Sequence, residues 1–333
     1  MKALFLLILS EFITIFARKF SISGFDSGAW AAVQLQLAYS KDIIGVGIIG
    51  GGIYGCSIGS SSKVHECSQK PWITIPSTYY SLTKSYQELG YIDNLKFAAN
   101  HKIWLFSGQL DIDVYHKAME NLLTYYEYFV DPKNIKSVFY VHAGHGIPVI
   151  DTEIPCAYSG FPYIISCGMD SAGQILRHIY GHLKPKLPMN FKNLYKFDQT
   201  LFFNQEGKDI SSLAEIGYIY ITDYCMNNEC KIHVMLHGCN QNYEATNGDS
   251  LLKTGYLEWA EGNNIVVIFP QVSQSKNNLN ACWDWWGYTG ANYLAKDGIQ
   301  MKVIYDMVQK LPKVSSSSIQ LIAIFQIFLI FLL

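Results

Sequence analysis

The chain has 333 residues, with 25 Lys and Arg against 27 Asp and Glu, for a formal net charge of −2. That balance lacks the basic excess on which nucleic-acid binding depends, so no nucleic-acid partner is expected. With 50% hydrophobic and 16% charged residues, disorder is excluded as the main state.

In chain order, Met1-Lys2 is followed by an uncharged run over 3–9, a break at Ser10-Glu11, and a second apolar patch closed by Arg18-Lys19. A basic start, a short apolar run and a small residue before a polar break predict a secretory signal peptide over 1–17. A strand at 20–23 then leads into Gly24-Phe25-Asp26-Ser27-Gly28 and a helix over 30–38. Strand, glycine-flanked turn and helix are the setting of a nucleophile elbow, whose middle residue projects over the sheet edge. That middle residue is serine in serine hydrolases and Asp26 here.

Short apolar runs at 43–49, 103–106, 137–141, 217–222, 232–236 and 265–269 predict buried strands. Helices are predicted at 114–126, 171–181, 251–263 and 298–311. Such alternation argues for α/β architecture with a mostly parallel sheet and a site at the carboxyl ends of its strands. Past the strand at 103–106 comes Asp111, placed where a hydrolase keeps the acid that orients its imidazole. Asp113 competes for that role. The alternative for Asp111 is a cap of the helix near Val114. Past the strand at 137–141, His145 sits in a glycine-flanked loop and can swing over the elbow, or it is a surface-loop residue. Elbow, acid, histidine is the hydrolase order. The strand at 232–236 ends in His237-Gly238-Cys239, a turn of the kind that supplies an oxyanion-hole N–H. Ordinarily it precedes the elbow; here it follows, as a circular permutation would produce.

Near the end, Cys282-Trp283-Asp284-Trp285-Trp286 packs three tryptophans into four positions, suited to a hydrophobic ligand or to the core. Trp283, Trp285 and Trp286 are candidate substrate-binding residues, with Trp286 foremost. Ser315 to Ser318 then precede an uncharged run over 319–333. This run is short for a membrane span, which needs about 20 apolar residues. It fits a glycosylphosphatidylinositol signal or a retained tail anchor over 315–333, either of which places the chain at an extracellular membrane surface. Eight cysteines, an even number in a secreted chain, favour disulfides. Spacing pairs Cys56 with Cys67, Cys156 with Cys167 and Cys225 with Cys230, which leaves Cys239 for Cys282. No cysteine–histidine set has zinc spacing, so neither metal nor other cofactor is expected.

Six stretches now combine: SGFDSGAWAAVQL, FSGQLDIDV, AGHGIP, CGMDSAGQIL, MLHGCNQNY and CWDWWGYTG. Together they resemble the secreted polyhydroxybutyrate depolymerase family over roughly 20–310. The resemblance implies a circularly permuted α/β-hydrolase fold, a single domain over 18–314, and a polyester or short-chain ester ligand. It implies Asp111 as triad acid, His145 as base, and the N–H groups of Ser27 and Cys239 as oxyanion hole. The family's elbow is Gly-Leu-Ser-Ser/Ala-Gly, so Asp26 falls on the nucleophilic serine. Three readings stay open. Hydrolysis is impaired and the cleft is retained; or Ser27 attacks in its place; or Asp26 itself attacks an electrophile other than an ester carbonyl.

Overall fold

Residues 17–203 and 210–310 are described by the computed structural model. The expected signal peptide, but for its last residue, and the expected C-terminal tail lie outside them. Among the described residues no helix is long and apolar enough to cross a membrane.

Among the described residues ten strands form: β1 (Phe20–Phe25), β2 (Ile43–Ile49), β3 (Lys102–Phe106), β4 (Ile135–Val138), β5 (Ile147–Val149), β6 (Ile164–Ser166), β7 (Leu194–Asp198), β8 (Ile216–Tyr220), β9 (Lys231–Leu236) and β10 (Ile265–Phe269). Eight make one sheet in the order β4-β3-β2-β1-β9-β10-β8-β7, and β5 pairs with β6 apart from it. The six strands from β4 to β10 run parallel. β8 is antiparallel to β10 and β7 to β8. Strands buried on both faces need near-continuous apolar sequence, and IIGVGII and IVVIF supply it.

Alternate residues of each strand feed two cores, because successive side chains point to opposite faces. Ile22, Val46, Ile48, Ile103, Leu105 and Val234 join one core with helices Ser27–Ala38, His116–Glu127 and Ile299–Lys310. Phe25, Ile49, Trp104, Phe106, Met235 and Val267 join the other with Ser171–Tyr180 and Tyr256–Asn263. The predicted helix over 251–263 is broken in two at Gly255, which takes φ 90. Helix Pro76–Glu88, strand β7 and the β5–β6 pair have no counterpart in the sequence reading. The helix buries only Thr83, so it carries little apolar periodicity. All four expected disulfides form.

Two features of β1 matter for the site. First, it lies between β2 and β9, strands near it and about two hundred residues later in the chain. The elbow strand and the His-Gly strand are therefore neighbours, as the permuted fold requires. Second, a buried polar ladder joins β1 to β9. Both ring nitrogens of His233 are engaged, Nδ1 with Ser21 Oγ at 2.6 Å and Nε2 with Ser23 Oγ at 2.8 Å. Tyr180 and Tyr256 hydroxyls complete the two serines at 2.6 and 2.7 Å. Burial pushes the His233 pKa down to about 3, so the ring is neutral. At the opposite end of β1, Arg18 N–H donates to Gln309 Oε1 at 2.7 Å, and Gln309 Nε2 donates back to Arg18 O at 3.0 Å.

His233→Leu keeps the volume and strips the ladder. The expected cost is about 2 kcal/mol or more, since buried hydroxyls lose a partner. Urea unfolding checks it; an unchanged midpoint would show that the ladder does not hold β1 to β9.

Candidate active site

The elbow forms where β1 runs straight into helix Ser27–Ala38. Asp26, between them, takes φ 52 and ψ −123, a conformation that strains any residue with a side chain. Close backbone approach imposes it. A Cβ on Gly24 would lie 2.0 Å from the Gly28 carbonyl oxygen, and one on Gly28 would lie 2.4 Å from the His237 and Leu236 oxygens. Although Asp26 sits at a helix N-terminus, its carboxylate makes no capping bond there. Oδ2 instead accepts from the Cys239 N–H at 2.8 Å, and Oδ1 stands 3.9 Å from His145 Nε2.

The acid and the base come from the loops after β3 and β4. His145 Nδ1 meets Asp111 Oδ2 at 2.8 Å, and both residues are buried. The other oxygen of Asp111 accepts from the N–H groups of Asp113 and Val114 at 3.0 and 2.8 Å. Asp111 therefore does both jobs left open by the sequence: it orients the imidazole and it caps the turn. Asp113 is exposed; it makes no hydrogen bond to the imidazole and acts on the ring only through its charge. His145 is no surface residue. It packs on the Phe25 ring at 4.6 Å and against Tyr163 at 5.8 Å, and its N–H donates to Ser159 Oγ at 2.7 Å. Burial works to depress the imidazole pKa, but Asp111, then Asp26 and Asp113, outweigh it and hold the pKa up to about 9.

The turn after β9 is fixed on three sides. Gly238 N–H donates to Gln241 Oε1 at 3.0 Å, and Gln241 Nε2 reaches Pro162 O at 2.8 Å. Asn240 N–H donates to Asn280 O at 2.7 Å, and Cys239 is bonded to Cys282. This clamping aims the Cys239 N–H at Asp26. Ser27 is fully buried, and its Oγ accepts from the Trp283 N–H at 3.2 Å. The Ser27 hydroxyl is therefore turned into the core.

No protein-family model matches the chain. A poly(3-hydroxybutyrate) depolymerase of Delftia acidovorans is 38% identical over 299 residues, which is 87% of this chain. The chain is similar in sequence and in fold to polyhydroxybutyrate depolymerases. It spans 59% of the length of that bacterial relative. A polyhydroxybutyrate depolymerase of Talaromyces funiculosus is 29% identical over 87% of this chain and 88% of its own length. Among solved structures, a PHB depolymerase from Penicillium funiculosum matches with a TM-score of 0.79 at 28% identity, over 89% of this chain and 96% of that one. A serine-to-alanine PHB depolymerase variant complexed with an R3HB trimer matches with the same score over 91% of this chain and 97% of that one.

The three candidate tryptophans divide between core and surface. Trp283 is fully buried, beside His237 at 5.6 Å, and has no surface for a ligand. Trp285 is also buried, stacked on Trp30 at 4.1 Å. Trp286 alone of the three is half-buried, edge-on to Trp285. The motif is organised by Asp284, whose carboxylate accepts from the N–H groups of Trp286, Gly287, Tyr288 and Thr289 and from Thr289 Oγ1. The sequence reading also missed Phe25, Ser159, Tyr163 and Gln241, which wall the imidazole or tie its loops. Only Phe25 carried a local signal, as the elbow residue before Asp26. Among the described residues no group of His, Cys, Asp and Glu is placed to hold a metal ion.

Raised from 6.5 to about 9, protonated His145 adds stability that is complete below about 6.5 and lost as pH rises through about 9. Asp111→Asn removes the largest stabilising charge. The ring's NMR titration midpoint is expected to fall to 6.5 or lower; a midpoint still near 9 would assign the effect to other groups.

Proposed function

We propose that this chain is a polyhydroxybutyrate depolymerase homologue of the extracellular face that keeps a polyester-binding cleft while Asp26 suppresses ester hydrolysis. The observation that carries this is the Asp26 carboxylate lodged on the Cys239 N–H at 2.8 Å. In a serine hydrolase the alcohol gives its proton to the histidine, attacks the carbonyl, and leaves an ester on the enzyme. The developing oxyanion is held by backbone N–H groups. Each element is altered here.

A carboxylate has no proton to give and attacks esters poorly. Its adduct would expel an alkoxide to form a mixed anhydride, a higher-energy species than the ester it came from. Its charge stands beside the point where the oxyanion would form, and it already uses one of the donors. His145, held protonated at neutral pH by its acid neighbours, cannot serve as a general base. Asp111, His145 and the N–H groups of Ser27 and Cys239 thus form a complete set of ester-cleaving partners around a mismatched centre. The Asp-nucleophile reading has no support in the geometry: the carboxylate is tethered to the donor that would have to serve its own oxyanion.

Within this proposal residues 18–314 form the depolymerase-like domain, 1–17 direct it to the secretory route, and 315–333 hold it at the membrane. Four disulfides accord with an oxidising compartment.

Asp26→Ser is expected to raise p-nitrophenyl butyrate hydrolysis by at least about a thousandfold, given the roughly million-fold effect of removing such a serine. Wild-type protein is expected to adsorb polyhydroxybutyrate granules without clearing their suspension. Wild-type turnover within tenfold of Asp26→Ser would refute the proposal.

A further inference from the structure

We infer that Asp26 acts as a built-in anion which restricts the cleft to ligands uncharged at the carbonyl subsite, so that it admits interior ester units of a hydroxyalkanoate chain and turns away free carboxylate ends. The inference rests on the polyester reading above. Its basis is occupancy: the Cys239 N–H, the donor that a bound acyl oxygen would seek, is met at 2.8 Å by a carboxylate of the chain itself. The carboxylate retains some exposure, 19%, so an entering group comes up against it directly.

Among the described residues no spare positive charge is paired with it. His145 faces Asp111 at 2.8 Å and Asp26 at 3.9 Å, so its one positive charge is set against two carboxylates. Exposed Asp113 lies in the same electrostatic field. Lys117 lines the depression beside Asp111, but it pairs with Glu120 at 3.1 Å. A ligand carboxylate about 4 Å from Asp26 would bind more weakly by a factor between about five, fully solvated, and about a thousand, in protein-like surroundings. A neutral ester carbonyl meets no such repulsion.

Isothermal titration calorimetry on the full chain tests this with two probes that differ only in charge. These are the linear (R)-3-hydroxybutyrate trimer as free acid and as its methyl ester, at low salt. The methyl ester is expected to bind wild type at least tenfold more tightly. Asp26→Asn keeps the shape and an acceptor oxygen for Cys239, and it is expected to bring the two affinities within about twofold. Added salt narrows the wild-type gap, because the carboxylate is partly solvated. Equal affinities in wild type, or a preference that survives unchanged in Asp26→Asn, overturn the inference and leave the polyester reading standing. Failure of both probes to bind wild type overturns that reading and the inference with it.

Discussion

The site depends on a contact between backbones. Gly24 and Gly28 touch across the turn, and Gly28 touches the end of β9, with no room for a Cβ at either. This packing forces Asp26 into positive φ and projects its side chain over the sheet edge, whatever that side chain is. Strain of this kind costs about 1–3 kcal/mol and persists only where the surroundings over-determine it. Here β2 and β9 hold β1 from both sides, and the His233 ladder pins it further. The elbow therefore survives a change of its central residue. Fold and chemistry are separable at this point: the scaffold fixes where a group stands, and the group fixes what can happen there.

Electrostatics follow from that separation. With a serine, the imidazole would answer to Asp111 and, further off, Asp113. With Asp26 present a further carboxylate stands across the ring. The aromatic walls of Phe25 and Tyr163 and the burial of the ring keep water from screening these charges fully. A proton is therefore retained on the ring at neutral pH. The Cys239 N–H, left without an ester oxygen to bind, is satisfied internally. Asp26 is held by the Cys239 N–H and His145 by Asp111, so the centre is tied together from the turn after β9 to the loops after β3 and β4.

Much of this was legible in the sequence. Apolar runs on 43–49 and 265–269 gave strands because parallel strands are buried on both faces, and Gly24 and Gly28 marked a turn because no other residue fits there. Asp111 and His145 were legible through their places after strands β3 and β4. The direction of the Asp26 carboxylate was not, since it depends on a donor more than two hundred residues away. The tryptophans stayed open between cleft and core for a related reason. Aromatic composition does not distinguish a lined cleft from a filled core, and Trp30, the partner that buries Trp285, lies in a helix at the other end of the chain. Gln241 and Tyr163 were invisible because their role is to join two loops, and local sequence carries no record of that.

The clasp between Arg18 and Gln309 has a consequence for presentation. It gathers the first strand and the last helix at one pole of the molecule, and β1 alone, six residues long, sets about 20 Å between that pole and the elbow. Anything that grips the chain by either extremity therefore grips it from behind. The mouth of the site is left at the far end of β1.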